Sequence, residues 1–446
     1  MRYIPNTDDD CREMLRAIGV RDVTELFTDI PEKIRLKENL KLPSALSEPE
    51  LKSHLNLLSE KNAGTEYISF LGAGSYGHYI PSVVEHLVSR SEFYTAYTPY
   101  QPEISQGTLQ GIYEYQTLIC QLTDMEITNA SMYDGASALA EAVLMANRIN
   151  NRKEILISQA VHPEYRKVLN TYTQSLDLEI KEIPFTKNLF TDSNEVKMLV
   201  SSNSSSVIIQ YPNFFGSIED IKKISEVARE KEALLIVVVV EPIALGILKP
   251  PGAFDCDIVV GEGQVFGNPI NFGGPSLGIF ATKEKYVRNI PGRIVGATTD
   301  KSLQRGYVLT MATREQHIRR EKATSNICTN QSLCALAASI YLSTLGRRGM
   351  KKLAELNLYK ANYVKKEISK MRNFSVDMSI PTFNEFVVRS KLPLEKVNEW
   401  LLQKNIIGGL ALLRFYPEMK DSLLFCVTEK NTKEDIDILC RVLSAL

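Results

Sequence analysis

The chain has 446 residues, 44% of them hydrophobic and 24% charged, and a formal net charge of -1 at pH 7. This length predicts two or three packed units, and the composition is typical of a globular protein whose core needs no disulfide or metal. The near-zero charge argues against nucleic acid or an anionic membrane as a partner, while seven cysteines without a CxxC pair and five histidines without a metal-binding spacing argue against a zinc or iron site.

Residues 1–64 are predicted to form a helical N-terminal arm. Short helical patterns alternate with breaks at Pro31, Pro43 and Pro49, and Ser47 is placed to cap the helix that follows it. The polar, acidic start of the chain is not typical of a signal peptide. Such an arm is expected either to wrap a neighbouring subunit or to cover the surface of its own chain.

Residues 65–330 alternate between strand and helix patterns and predict a large α/β domain. The strongest strand pattern is the β-branched run Ala233–Val240, which is too short to span a bilayer, so we expect a cytoplasmic protein. Continuous apolar runs indicate strands buried on both faces, as in a mostly parallel central sheet with right-handed crossovers. The other predicted strands are Glu154–Ser158, Ser206–Gln210, Cys256–Gly261 and Leu277–Ala281, and the predicted helices begin near Pro163 and span Ile218–Lys231.

Residues 331–446 are predicted to form a small C-terminal α+β domain. A helical pattern is interrupted by the basic turn Gly346–Gly349, and Thr432 is placed to cap the last helix. The predicted helices are Ser332–Ser343, Met350–Met371, Pro393–Gln403 and Thr432–Leu443, and the predicted strands are Phe383–Arg389 and Leu423–Thr428.

A glycine-rich segment, Phe70–Pro81, is the first candidate for a functional site. Three glycines in six residues free the backbone to approach a partner closely, and Ser75, Tyr76 and His78 place polar groups beside them. A tight turn between two elements would use the same glycines, so the spacing alone leaves both interpretations open.

The tyrosine-rich loop Tyr94–Thr108 is the second candidate. Its prolines, Pro99 and Pro102, prevent one continuous helix and pre-set the backbone. A rigid aromatic loop of this kind suits the wall of a pocket or a packing contact. Its polar side chains include Tyr97, Tyr100, Gln101, Glu103 and Gln106.

Four further positions follow predicted strands or open a predicted helix. Ser137 lies in a Gly/Ser turn before a helix, whose N terminus would suit a phosphate, although such turns are common without a ligand. His162 can stack on a planar cofactor or be an ordinary loop histidine. Glu241 ends the strongest strand, where open α/β sheets bind their ligands. Gln264 lies in the glycine-rich loop Gly261–Ser276.

Taken together, these segments resemble the P-protein of the glycine cleavage system, glycine decarboxylase, and in particular the alpha-type chain, subunit 1, of its two-subunit form. The resemblance covers nearly the whole chain and implies the α/β fold of fold-type I pyridoxal-phosphate enzymes. The most specific matches are Phe70–Pro81, Tyr97–Gly107, Leu248–Gly252, Phe272–Pro275 with Leu277–Gly278, and Thr313–Cys328.

The same resemblance implies a degenerate cofactor site. A cofactor-holding member of this fold needs a phosphate cradle, a stacking histidine, an acid on the pyridine nitrogen and a Schiff-base lysine. Ser137, His162 and Glu241 match the first three parts, with glutamate where the family usually has aspartate. The loop from Glu262 to Ser276 contains Gln264 but no lysine, so we expect no Schiff-base residue and no covalently held cofactor in this chain.

The resemblance further implies a lysine-bearing partner, the beta-type subunit 2, which holds pyridoxal phosphate. Together the two chains are expected to decarboxylate glycine and to pass the aminomethyl group to the lipoyl arm of the H-protein, while the isolated chain is inactive. This chain is expected to complete the partner's active site. The residues expected to form the wall of that pocket are Ser75, Tyr76, Tyr97, Tyr100, Gln101, Glu103 and Gln106.

Two alternative functions stay open at this point. An independent pyridoxal enzyme, such as a transaminase, would need another lysine, and the nearest candidates, Lys249, Lys283 and Lys285, flank the wrong strands. A purely structural or regulatory subunit would touch no substrate, and the polar groups of the tyrosine-rich loop argue against it.

Overall fold

The computed structural model describes residues 6–62, 66–325, 327 and 329–446, and only the backbone of residue 317. Asn326 and Cys328, in the last of the sequence motifs, lie outside these residues. The chain divides between residues 65 and 66 into two compact units. The predicted boundary between residues 330 and 331 falls inside the second unit and stays a prediction.

Most of the predicted helices begin within one residue of the predicted position, and capping residues mark two of these starts. Ser47 and Glu50 form a capping box at the start of one helix, and Thr432 caps the last one. Gly346 has a non-helical backbone that divides the longest helix at the predicted turn. The helices are α1 (Asp8–Ile18), α2 (Glu48–Ser59), α3 (Ser82–Val88), α4 (Ser91–Tyr94), α5 (Gln106–Thr123), α6 (Gly135–Asn150), α7 (Pro163–Thr173), α8 (Ser193–Leu199), α9 (Ile221–Glu230), α10 (Gln316–Arg319), α11 (Ser332–Ile368), α12 (Leu394–Leu402) and α13 (Lys433–Ser444).

All of the predicted strands are present, with ends that shift by one or two residues. The strands are β1 (Ile68–Ser69), β2 (Ile127–Thr128), β3 (Glu154–Ser158), β4 (Glu179–Ile183), β5 (Ser204–Gln210), β6 (Leu234–Val239), β7 (Ile258–Glu262), β8 (Gly278–Thr282), β9 (Ile294–Thr299), β10 (Arg305–Thr310), β11 (Phe374–Ser375), β12 (Glu385–Ser390), β13 (Ile406–Ile407), β14 (Leu410–Ala411) and β15 (Ser422–Cys426).

A seven-stranded sheet forms the centre of the second unit, in the order β2-β8-β7-β6-β5-β3-β4. Its strands are parallel except β8, which runs antiparallel to both of its neighbours. Strands β5, β6 and β7 are buried at every residue, as their continuous apolar runs predict. The predicted α/β architecture with a mostly parallel sheet is therefore confirmed.

A second sheet, in the order β11-β12-β15-β14, has its own hydrophobic core with helices α11, α12 and α13. This core also contains Phe70, and β1 pairs in parallel with β13. The chain therefore passes through the C-terminal layer before it enters the large sheet. As a result, the glycine-rich segment after Phe70 lies where the two layers meet.

The sequence-based prediction lacked several elements, among them β4 and the pair of β9 and β10. Strand β4 is an edge strand whose sequence, Glu-Ile-Lys-Glu-Ile, has three charged residues that are exposed or half-buried, so it lacks the apolar run of the inner strands. The antiparallel pair of β9 and β10 is also partly exposed. Among the described residues, no helix is long and apolar enough to cross a membrane.

Candidate active site

The predicted stacking histidine, His162, follows β3 and caps the start of α7. Its Nδ1 accepts a hydrogen bond from the backbone N–H of Glu164 at 3.2 Å, so the proton lies on Nε2, which donates to the carbonyl oxygen of Ala73 at 2.8 Å. Burial lowers the pKa of His162, which keeps the ring neutral. Phe214 packs edge-on against the ring, with 4.9 Å between the ring centroids.

The glycine-rich segment packs directly against this histidine. Gly74 has φ of +96°, and a Cβ atom at this position would lie 2.6 Å from Nε2 of His162. Only glycine fits both the backbone conformation and the contact. Gly74 therefore serves a close approach, as the sequence suggested for this segment, and the group that it approaches is the histidine of the same chain.

The predicted acid, Glu241, lies in a buried network of ionisable groups at the end of β6. Its Oε2 accepts hydrogen bonds from Nε2 of His78 and from the Asn384 side chain, both at 2.9 Å. The other ring nitrogen of His78 lies 2.8 Å from a carboxylate oxygen of Glu429. The side chains of His78, Glu241 and Glu429 are 1%, 3% and 8% exposed.

This network makes His78 a buried cation. Burial alone would disfavour the imidazolium, but the carboxylates of Glu241 and Glu429 outweigh it and raise the pKa of His78 to about 10. Both ring nitrogens then donate, one to each carboxylate. The carboxylate of Glu241 is thus neutralised by a side chain of the glycine-rich segment.

A second buried acid, Glu385 at the start of β12, anchors the same segment. It accepts hydrogen bonds from the Tyr76 hydroxyl at 2.7 Å and from the backbone N–H of Ala73 at 2.6 Å. Burial raises the pKa of Glu385 to about 7, and the two hydrogen bonds oppose that rise. Tyr76, expected on the wall of a partner's pocket, is 2% exposed and engaged within its own chain.

In the predicted phosphate cradle, at the start of α6, one backbone N–H group is paired with the carboxylate of Glu262. Ser137 and Asp134 form a capping box, in which the backbone N–H of Ser137 donates to Oδ1 of Asp134 at 2.8 Å. The adjacent N–H of Gly135 donates to Oε2 of Glu262 at 3.0 Å. The other oxygen of Glu262 accepts from the backbone N–H groups of Gln264 and Leu277, at 3.0 and 2.8 Å.

Glu262 thus occupies the kind of anion site that a helix N terminus and flanking backbone N–H groups create. Burial raises the pKa of Glu262 to about 7, the three backbone donors oppose the rise, and Asp134 adds to it. Of the three backbone donors, the Gly135 N–H belongs to the predicted cradle, and those of Gln264 and Leu277 belong to the segment between β7 and β8.

The loop after β7 carries Gln264 where the resemblance places the Schiff-base lysine. The Gln264 amide donates to the carbonyl oxygen of Asn268. This loop and the glycine-rich segment line one cavity of about 310 Å³, which includes Tyr76, Tyr79, Gln264 and Lys430. Sequence analysis did not consider Lys430, because it lies far from the loop in the chain.

The three lysines considered for an independent pyridoxal enzyme are placed elsewhere. Lys283 follows β8, whose antiparallel direction puts it at the start of the parallel strands, and it pairs with Asp257 at 2.9 Å. Lys249 and Lys285 lie over the rings of Phe254 and Tyr286, at 4.8 and 4.7 Å from the ring centroids.

Polar contacts with Arg293 and Tyr307 anchor the tyrosine-rich loop. Arg293, which is buried, donates to the Tyr100 hydroxyl at 2.8 Å, and its guanidinium lies over the Tyr100 ring. The Gln106 amide exchanges hydrogen bonds of 2.9 Å with the backbone of Tyr307 in β10. The loop is therefore held against the β9 and β10 pair.

Much of this loop remains on the surface. Tyr97 is 79% exposed, and Ile104 is 81% exposed. Gln101 and Glu103 are also exposed, as is Ser75 in the glycine-rich segment. The predicted pocket-wall residues thus divide into the buried Tyr76 and a mostly exposed group. An exposed aromatic and apolar surface of this kind is typical of a protein contact.

Sequence reasoning missed the acids Glu262, Glu385 and Glu429 and the partners Asn384 and Arg293. The only local signal was an acidic residue within or next to an apolar strand, as at Glu262 and Glu385, since a charged group there needs a partner. No group of three or more potential metal ligands of the types His, Cys, Asp and Glu occurs among the described residues.

Comparison with known proteins places the chain in a family. The family model described as glycine cleavage system P-protein matches residues 1–443. The chain belongs to the P-protein family. The predicted resemblance, including its first-subunit type, is confirmed by the similar relatives that follow.

Two curated relatives show the similarity over the full length. The chain is 56% identical to the probable glycine dehydrogenase (decarboxylating) subunit 1 of Desulfitobacterium hafniense, over 98% of each chain. It is 55% identical to the protein of the same description from Geobacillus kaustophilus, over 98% of this chain and 97% of the relative.

Solved structures confirm the predicted fold-type I architecture of this P-protein family member. A crystal structure of glycine decarboxylase (P-protein) of the glycine cleavage system, in inhibitor-bound form, is 40% identical, covers 100% of both chains and has a TM-score of 0.90. A sphingosine-1-phosphate lyase from Burkholderia pseudomallei, 15% identical with a TM-score of 0.68, covers 92% of both chains and shares the fold alone.

Proposed function

We propose that this chain acts as subunit 1 of glycine dehydrogenase (decarboxylating), holds no pyridoxal phosphate itself, and completes the active site of a lysine-bearing subunit 2. The complex would decarboxylate glycine and deliver the aminomethyl group to the lipoyl arm of the H-protein. The names of the relatives support the activity and a second subunit. The absence of lysine from the loop Glu262–Ser276 supports the division of labour.

The observation that carries the proposal is that protein groups of the same chain pair with the residues expected to hold the cofactor. Glu262 accepts from Gly135, a backbone donor of the predicted phosphate cradle, and His78 neutralises Glu241. His162 donates to Ala73 and packs against Gly74. These residues do not fit the group, because their donors and charges are already paired within the chain.

A cofactor would therefore have to break buried interactions in order to bind. Removing one partner from a buried charge pair costs about 3–5 kcal/mol, which opposes binding by a factor of at least ~100. Glu262 would also lose its three backbone donors. In this proposal the chain contributes a contact surface to the complex. The exposed part of the tyrosine-rich loop supports a contact with the partner subunit.

The test is a spectral titration of the purified chain with pyridoxal phosphate, followed by borohydride reduction and peptide mapping. We expect no saturable absorbance change at one equivalent and no stoichiometric adduct on a single lysine. Lys430→Arg is the matched variant, since this lysine lines the cavity beside Gln264. An adduct on Lys430, lost in the variant, would contradict the proposal and favour an independent pyridoxal enzyme.

The partnership needs its own measurement. Co-expression of both chains should give a stable hetero-oligomer by light scattering, with an interface commonly beyond ~2,000 Å² for an obligate complex. Glycine–bicarbonate exchange should require both chains and the lipoylated H-protein. Full exchange by subunit 2 alone would instead support a structural or regulatory role for this chain.

A further inference from the structure

We propose that a cavity between α11, β12 and the loop that follows β5 binds a small oxyanion with two negative charges, such as a phosphoryl or dicarboxylate group. The cavity has a volume of about 240 Å³ and shares no lining residue with the candidate active site. It has room for several water molecules, and therefore for a small anion. Three cations and one acid line it, namely Lys187, Lys365, Arg389 and Asp377.

The first support is Lys365, a buried lysine without a close carboxylate. Its residue is 2% exposed, and Nζ donates to the carbonyl oxygen of Ile380 at 3.2 Å and to the Thr382 hydroxyl at 3.0 Å. Both acceptors are neutral, and no ion pair within 4.0 Å joins Lys365 to another described residue. Burial lowers the pKa of Lys365, although Asp377 opposes this effect. A buried ammonium in this setting is stabilised by an anion.

The second support is the hydroxyl of Ser217, another residue that lines the cavity. Ser217 is fully buried, and its Oγ has no hydrogen-bond partner in the part of the chain that the structure describes. Buried hydroxyl groups are nearly always paired. A ligand oxygen in the cavity would accept this hydrogen bond.

The third support is the charge of the opening. Lys187 and Arg389 are exposed residues that line the cavity, and Asp377 is the single acid. Asp377 accepts hydrogen bonds from the backbone and hydroxyl of Ser379, which together with Lys365 and Arg389 lower its pKa. With Lys365 charged, three positive charges face one negative charge. This balance favours an occupant with two negative charges over a monoanion.

The walls of the cavity are already in place without a ligand. Ser217 forms an antiparallel bridge with Thr382, and Phe383 donates to the carbonyl oxygen of Gly216. Gly216 has φ of +82°, and a Cβ atom there would lie 2.0 Å from the carbonyl oxygen of Glu385. A preformed site loses little conformational entropy when it binds, which favours affinity for a small ion.

The test is isothermal titration calorimetry of the full-length chain with inorganic phosphate and with succinate, using acetate as a monoanion at matched ionic strength. We expect a saturable single site with Kd of about 1 mM or tighter for at least one dianion, and weaker binding of acetate. Lys365→Met and Arg389→Gln should weaken binding by about 10-fold or more. The matched control is Lys366→Met, which removes an adjacent but exposed charge and should change Kd by less than about 2-fold.

If the buried Lys365→Met variant fails to fold, the test still rests on Arg389→Gln, because Arg389 is on the surface. Saturation by phosphate alone would identify a phosphoryl ligand, and saturation by succinate alone a dicarboxylate. The proposal is wrong if neither dianion saturates by about 20 mM, if acetate binds as tightly as both, or if Arg389→Gln and Lys365→Met bind like the unchanged chain.

Discussion

Replacement of His78 by glutamine should destabilise the protein strongly, because this ring connects two buried carboxylates. Its nitrogens lie 2.9 Å from Glu241 and 2.8 Å from Glu429. Glutamine keeps polar atoms at the position but carries no charge, so both acids would remain buried without their shared cation. The change therefore tests the charge of the ring more than its volume.

The expected magnitude follows from the burial of all three side chains, none of which is more than 8% exposed. Breaking a buried pair by removing one partner costs about 3–5 kcal/mol. Residues 66–446 form the compact unit that contains the network. With an unfolding entropy of about 2.1 cal/mol/K per residue, the melting temperature should fall by about 4–6 °C.

The loss should depend on pH in a definite direction. The folded state raises the pKa of His78 to about 10, from an ordinary value of 6.5. A raised pKa in the folded state means that the stabilisation is fully present below pH 6.5 and declines as the pH rises toward 10. The difference in melting temperature between the unchanged chain and the variant should therefore shrink across that window.

The assay is a set of thermal melts at several values between pH 6.5 and pH 10, with His86→Gln as the matched control. His86 is exposed on α3, so its replacement should shift the melting temperature by less than about 1 °C. Adding Glu241→Gln to the His78 variant should restore part of the loss. A His78 variant that melts like the control, or a difference that is constant across the pH range, would show that the ring is not a buried cation.

Four further predictions address the rest of the candidate site. Tyr97→Phe should lower glycine–bicarbonate exchange by the assembled complex about 10-fold if its hydroxyl contacts the reacting species, whereas unchanged exchange would assign it to packing. Tyr100→Phe should in addition cost about 1 kcal/mol of stability by urea denaturation, because it removes the hydrogen bond from Arg293. The Glu262→Gln variant should gain stability relative to the unchanged chain as the pH rises from 4.5 to about 7, by up to about 3 kcal/mol. The reason is that the raised pKa of Glu262 makes its ionisation unfavourable in the folded state. A difference in melting temperature between variant and unchanged chain that stays constant over this window would count against a buried carboxylate. Gly74→Ala should destabilise by at least about 1 kcal/mol more than Gly19→Ala, because both glycines have positive φ but only Gly74 contacts His162, and equal losses would rule out that contact.

The sequence by itself determined the elements and the class of fold. Continuous β-branched runs such as Leu234–Val239 are buried wherever they lie, so burial and strand type are local properties that periodicity reveals. Caps such as Ser47 and Thr432 fixed helix starts for the same reason, since a cap bonds within one turn. The missing lysine after β7 was also visible, because it needs only the order of the chain. The edge strand β4 was not visible, because it pairs only with β3 and carries no continuous apolar run.

Only the tertiary structure decided how the residues of the candidate site pair with one another. Glu262 reaches Gly135 across 127 positions of the chain, and Glu429 reaches His78 across 351. Glu429 does not differ in its local pattern from an ordinary surface glutamate, and the local pattern of Glu262 shows an acid at the end of an apolar strand without showing its partners. Their roles arise when the crossovers of the large sheet and the second layer bring distant segments within 3 Å, in surroundings where an unpaired charge is too costly to persist. The sequence could therefore predict a degenerate site, while the internal charge pairing of its residues depends on packing that no local pattern encodes.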